Sequence, residues 1–162
     1  MLDFIDLKIL RALCKNGRIT YANLAEQIHL SQTPTLKRVK RIEESGYVTG
    51  YTAIVDENRL GGSMNVFVMV TLASQKIATH HEFRKLVADV PQIMECFLTS
   101  GDSDYLLRIA VDSMAEYEKI LTEKISSVVP VTNIRSSFSL RPVKRETTPP
   151  LLSDAASVIY AR

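Results

Sequence analysis

The chain has 162 residues, 46% of them hydrophobic, with six glycines and six prolines. That is enough to bury a core in one ordinary domain or two small ones, and it excludes fibrous and largely disordered chains. Twenty basic against 18 acidic residues leave a net charge of +2, too little for a histone-like coat, and no stretch nears the ~20 apolar residues that span a membrane.

The acidic start, Met1-Leu2-Asp3-Phe4-Ile5-Asp6, has no basic n-region and no cleavable apolar core, so it does not read as a secretory signal. Asp3 is placed to cap a first helix with Asp6 in its first turn. Ile5, Ile9, Leu10 and Leu13 follow at helical spacing, and Asn16-Gly17 ends the run with a glycine expected in the left-handed position. Thr20 is the next cap, ahead of Leu24, Ala25 and Ile28, and His29-Leu30-Ser31 makes a tight connection. A third helix begins near Ser31 or Thr33, with Pro34 tolerated in its first turn, a stripe of Leu36, Val39 and Ile42, and Ser45-Gly46 at its end. Residues 47–55 read as two short β segments about Gly50. Three short helices and a β wing form a winged helix-turn-helix, whose third helix enters the DNA major groove.

Charge agrees with that reading. Residues 1–55 carry eight basic and five acidic residues, with Lys37, Arg38, Lys40 and Arg41 inside five positions. A basic cluster is either a solvated helix face or a surface for a polyanion. Here the acids wait until Glu43 and Glu44, and Gln32, Thr33 and Thr35 sit at the helix start, where they can reach base edges or phosphates. The expected DNA contacts are therefore Gln32, Thr33, Thr35, Lys37, Arg38, Lys40 and Arg41.

Residues 56–63 form a polar, glycine-containing linker. Met64 to Leu72 is a strand with Val66, Val68 and Val70 on one face and Phe67 and Met69 on the other, so both sheet faces need cover. Thr79-x-x-Glu82 and Ser113-x-x-Glu116 then repeat at an offset of 34 residues. Each has the form of a capping box. Each opens an apolar helical stripe: Phe83, Leu86, Val87 and Val90, then Met114, Tyr117, Ile120, Leu121, Ile125 and Val128. Each helix stops at Val-Pro and is followed by a strand, Ile93 to Ser100 and Val131 to Leu140, with Asp104 to Asp112 as a further strand between them. The order is β-α-β-β-α-β, the ferredoxin-like split βαβ, an α+β arrangement whose uncovered sheet face suits a second copy of the chain. Gly101-Asp102-Ser103-Asp104 joins the middle strands. It reads either as a plain hairpin turn or as a tip whose N–H groups and carboxylates hold a small polar ligand.

Several segments recur together: Leu2-Asp3-x-x-Asp6-x-x-Ile9-Leu10, Gly17-Arg18-Ile19-Thr20, Leu30-Ser31-x-Thr33-Pro34, Arg38-Val39-Lys40-Arg41-Ile42-Glu43-x-x-Gly46, Gly50-Tyr51, Leu60-Gly61 and Gly101-x-x-Asp104-Tyr105-Leu106-Leu107. In that order they resemble the Lrp/AsnC, or feast/famine, family of transcription regulators, over residues 2–145. The resemblance implies a DNA-reading head (1–55), an effector-binding and oligomerisation domain (64–145), dimers that close into octamers, and double-stranded DNA as partner. It implies a free amino acid as effector, bound near Thr99, Ser100, Gly101, Asp102, Ser103, Asp104 and Tyr105. The tail, 146–162, lies outside it.

Rival readings are an enzyme and an amino-acid-binding module without a switched DNA function. His80-His81 precedes the expected fourth helix and reads as a solvated pair, with no triad or metal-ligand spacing beside it. Cys14 and Cys96 read as packing residues, and two distant thiols fit a cytoplasmic, reducing compartment. No cofactor or metal is expected.

Overall fold

The computed structural model describes residues 2–56, 59, 64–128 and 130–152. They fall into two compact units, residues 2–54 with 143–152, and 55–142.

The first unit holds three helices, α1 (Phe4–Lys15), α2 (Tyr21–Ile28) and α3 (Gln32–Glu44). Asp3 caps α1 in a full capping box with Asp6, and the Thr20 side chain caps α2 by accepting from Asn23 N–H. Both α2 and α3 end in a Schellman motif. His29 turns left-handed at φ 57° while Leu30 N–H reaches Ala25, and Gly46 does so at φ 74° while Tyr47 N–H reaches Ile42. Ile9, Leu10, Leu24, Ile28, Val39 and Ile42 form the shared core.

Two local expectations change. Gly17 is not left-handed, since α1 ends on Asn16 in extended backbone. A Cβ there would stand 3.0 Å from the Tyr51 ring, which would have to give by a few tenths of an ångström. Residues 47–56 form no strand. An isolated pair of short strands is marginal in water, and this segment is fastened instead through Tyr51, whose hydroxyl donates to Glu43 at 2.7 Å. Burial and the neighbouring Glu43 push that phenol up to about 12. At the described end of the tail, Leu152 packs on the helical core, and its carbonyl accepts from Arg11 Nε at 2.5 Å.

The second unit is a four-stranded antiparallel sheet, order β2-β3-β1-β4, from β1 (Met64–Leu72), β2 (Ile93–Leu98), β3 (Tyr105–Val111) and β4 (Val131–Phe138). On one face lie α4 (Ile77–Asp89) and a second helical run. Val66, Val68, Val70, Tyr105, Leu107, Ile109 and Phe83 are fully or almost fully buried there. The second run is not uniform: α5 (Met114–Lys119) passes into a π-helical stretch (Ile120–Ile125) before a last turn, α6 (Ser126–Val128). The wider i→i+5 winding sets Ile120 and Ile125 on one buried face, and Met114 drops out of the stripe, exposed.

The two capping boxes differ from expectation. Ser113 accepts from Glu116 N–H, while Glu116 accepts from Asp112 N–H rather than from Ser113. Thr79 caps nothing, because α4 starts one turn earlier at Ile77 with Lys76 as its N-cap. β4 stops at Phe138, leaving Leu140 outside the sheet and exposed. Among the described residues no helix is long and apolar enough to cross a membrane.

Candidate functional sites

The first site is the outward surface of α3. At about 100° per residue, Thr35, Val39 and Ile42 fall on one stripe, and Thr33, Lys37 and Lys40 fall almost opposite. Burial follows that geometry: the first three are buried, while Gln32, Thr33, Lys37 and Lys40 are exposed. Thr35 is therefore not where the sequence placed it. It is fully buried, and its hydroxyl donates to the Ser31 carbonyl at 2.9 Å, so it braces the helix start and offers nothing to a base.

Arg38 and Arg41 occupy the flank of α3 that faces α1. Arg38 Nη1 lies 2.6 Å from Asp3 Oδ2 and 2.8 Å from Asp6 Oδ1, and Arg41 Nη2 lies 2.5 Å from Asp6 Oδ2. The Asp6 side chain is 0% exposed, against 27% for Arg38 and 55% for Arg41. The hydrogen bonds that Arg38 donates to Asp3 and Asp6 raise its pKa further. Burial opposes the Asp3 carboxylate, but the bonds from Arg38 and Asp6 N–H outweigh it and hold that group below its usual range. The four clustered positives thus divide into two lysines without an ion-pair partner among the described residues and two arginines committed to α1.

The second site is the β2–β3 hairpin. Thr99 closes it, its N–H donating to the Asp104 carbonyl at 2.9 Å and its hydroxyl to the Ser103 carbonyl at 2.7 Å. The turn is seated on the end of β1. Asp104 N–H donates to the Val70 carbonyl, Thr71 Oγ1 to the Asp102 carbonyl at 3.2 Å, and Leu72 N–H to Asp104 Oδ2 at 2.7 Å. Gln75 Nε2 donates to the other oxygen, Oδ1, at 2.9 Å. Both oxygens of Asp104 are thereby engaged within the chain. Asp102 is exposed, and the N–H groups of Ser100, Gly101, Asp102 and Ser103 make no hydrogen bond among the described residues. Gly101 sits at φ 125° with nothing within 4 Å of a Cβ built there; backbone conformation, rather than crowding, requires glycine at this point. Tyr105 is buried against Phe83, ring centroids 4.4 Å apart, and burial pushes its phenol up, so it stays protonated.

His80, expected as half of a solvated pair, lies on α4 and is half-buried, its Nδ1 2.8 Å from the Tyr105 hydroxyl and its Nε2 3.1 Å from Gln75 Oε1. Only His81 is exposed. Sequence reasoning missed His80 and Gln75, whose neighbours at the hairpin lie 25 and 29 residues away. Cys14 and Cys96 are half-buried, and burial pushes both thiols up, as suits packing rather than nucleophilic residues.

Comparison with known proteins matches two family descriptions to successive parts of the chain. Residues 2–49 match the winged helix-turn-helix DNA-binding family and residues 65–149 the Lrp/AsnC ligand binding domain. A Bkd operon transcriptional regulator of Pseudomonas aeruginosa is 46% identical over 150 residues, 93% of this chain and 98% of that protein. A leucine-responsive regulatory protein of Haemophilus influenzae is 39% identical, covering 89% and 87%. Among solved structures, a transcriptional regulator of Neisseria meningitidis in complex with L-Met superposes with a TM-score of 0.88 at 31% identity, covering 93% and 97%. The chain carries a DNA-binding head, a ligand-binding domain and homology along nearly its whole length to transcriptional regulators, and it belongs to the Lrp/AsnC family.

Proposed function

We propose that this regulator reads double-stranded DNA through Gln32, Thr33, Lys37 and Lys40, and that a free amino acid bound at the β2–β3 hairpin alters its assembly or its hold on DNA. The observation that carries the effector half is the hairpin tip: four N–H donors without a hydrogen-bond partner among the described residues, beside the exposed carboxylate of Asp102. An amino acid offers the complement, an ammonium for Asp102 and a carboxylate for the N–H groups and the Ser100 hydroxyl. Relatives named for leucine response, and one solved with L-Met, support the ligand class. Thr99 and Asp104 shape the tip, and Tyr105 supports it from the core.

The uncovered sheet face supports self-association. Phe97, Leu106 and Met69 form a cross-strand row beside Phe67, and Phe67 and Met69 are 39% and 37% exposed. Arg108, in the adjacent row, is tied to Glu95 at 2.6 Å and to Asn65 at 2.9 Å, so the face is apolar from Phe97 to Met69 and Phe67, with the exposed Arg135 opposite Met69 at its β4 edge. A second copy covers it, and dimers joined further into an octamer would bring hairpins of neighbouring dimers together. Sedimentation of Phe67→Asp should shift the protein towards monomer. Wild-type protein that stays monomeric at micromolar concentration would contradict this surface.

Calorimetry with the twenty amino acids tests the effector reading. Asp102→Asn should weaken binding about tenfold, the ~1.5 kcal/mol typical of a hydrogen bond to a charged group, without lowering the melting temperature. Unchanged binding in both Asp102→Asn and Gly101→Val would place the site elsewhere. No binding by any amino acid would leave the hairpin a structural turn.

A further inference from the structure

Four hydrogen bonds run in series from the core to the hairpin, through Tyr105, His80, Gln75, Asp104 and Leu72. Their chemistry allows one direction. The Asp104 carboxylate only accepts. It therefore takes its bonds from Leu72 N–H and from the Gln75 NH2 group, which turns the Gln75 carbonyl oxygen towards His80. That oxygen also only accepts, so His80 Nε2 must carry the proton. In the neutral ring Nδ1 is then an acceptor, and the Tyr105 hydroxyl donates to it. Flipping the Gln75 amide would set its oxygen against a carboxylate, so a charge at the hairpin fixes an imidazole tautomer two hydrogen bonds away.

We propose that His80 and Gln75 are positioning residues of the hairpin, forming a directional hydrogen-bond chain that holds the Asp104 carboxylate on Leu72 and couples the tip to the first turn of α4. The functional half of this inference rests on the hairpin being the effector site. If it is, the chain keeps Asp104 occupied so that Asp102 alone meets the ammonium, and ligand-induced movement of the tip registers at the His80 ring. The bonds span one strand end, one turn and one helix start. Their loss should loosen the hairpin locally and spare the buried sheet centre around Val68 and Leu107.

Nitrogen-detected NMR of the full-length protein, without ligand and in alkaline buffer where imidazole is neutral, tests the chain independently of any effector. Wild type should show His80 as a single Nε2–H tautomer. In Asp104→Asn the Leu72 N–H still needs the side-chain oxygen, so the amide NH2 faces Gln75, the Gln75 amide turns over, and the His80 ring, which residue 104 does not touch, should shift towards the Nδ1–H tautomer. Gln75→Leu should speed amide exchange at Leu72 at least tenfold, with Val68 and Leu107 unchanged. A dominant Nδ1–H tautomer in wild type would overturn the proposal, as would a His80 ring indifferent to Asp104→Asn. With the chain confirmed, an amino acid that binds by calorimetry yet leaves the His80 signals unmoved would overturn the coupling of tip to ring, while no binding by any amino acid would count against the effector reading alone.

Discussion

Asp6→Ala is expected to destabilise the helical head by about 2–3 kcal/mol. Removing one partner of a buried ion pair costs roughly 3–5 kcal/mol when the stranded charge stays buried. Here the stranded groups are Arg38 and Arg41, 27% and 55% exposed, and water recovers part of that cost. The substitution also removes the Asp6 half of the α1 capping box, where its carboxylate accepts from Asp3 N–H at 3.0 Å, typically worth ~1 kcal/mol for a cap. Asp6→Asn, which keeps one acceptor, should fall between. The two predictions this makes for DNA pull in opposite directions: loss of a negative charge strengthens long-range attraction, while a loosened α3 weakens docking. Positioning by the arginines requires net loss of affinity together with the fall in stability. Denaturant unfolding of the full-length protein showing less than about 0.5 kcal/mol lost would mean that α3 does not depend on this cluster.

The second large effect belongs to the lysines. Lys37→Ala with Lys40→Ala should reduce the slope of log K against log salt by about two per head, because each phosphate contact releases roughly one counterion. Arg38→Ala with Arg41→Ala should change that slope much less and lower the melting temperature more. The contrast follows from where the side chains go: both lysines are exposed on the stripe opposite Val39, and both arginines point to α1.

Much of this was legible from residue type and spacing alone. Asp3 with Asp6, Thr20, and Ser45-Gly46 signal helix ends through local chemistry, and the structure uses them that way. Val66, Val68 and Val70 signal a buried strand face through a period of two. What stayed hidden depends on partners distant in sequence. A helical stripe read through Leu36, Val39 and Ile42 differs by one position from the observed Thr35, Val39 and Ile42, and Thr35 is tolerated inside because the Ser31 carbonyl takes its hydroxyl. The basic run showed its charge but not that Asp6, 32 and 35 residues away, claims half of it. Likewise, the pattern 101–104 marked a hairpin, but nothing local revealed that Gln75 and Leu72 would occupy both oxygens of Asp104 and leave Asp102 outward.

The most direct test of the DNA-reading account is fluorescence anisotropy on duplex DNA across a salt series, comparing wild type, the Lys37→Ala/Lys40→Ala pair and the Arg38→Ala/Arg41→Ala pair, each checked for folding. The account predicts that the lysine pair loses about two units of slope per head while the arginine pair retains most of it. A slope lost with the arginines and kept with the lysines would show that the guanidiniums leave Asp3 and Asp6 to bind phosphate, and would contradict the division of α3 drawn from their ion pairs.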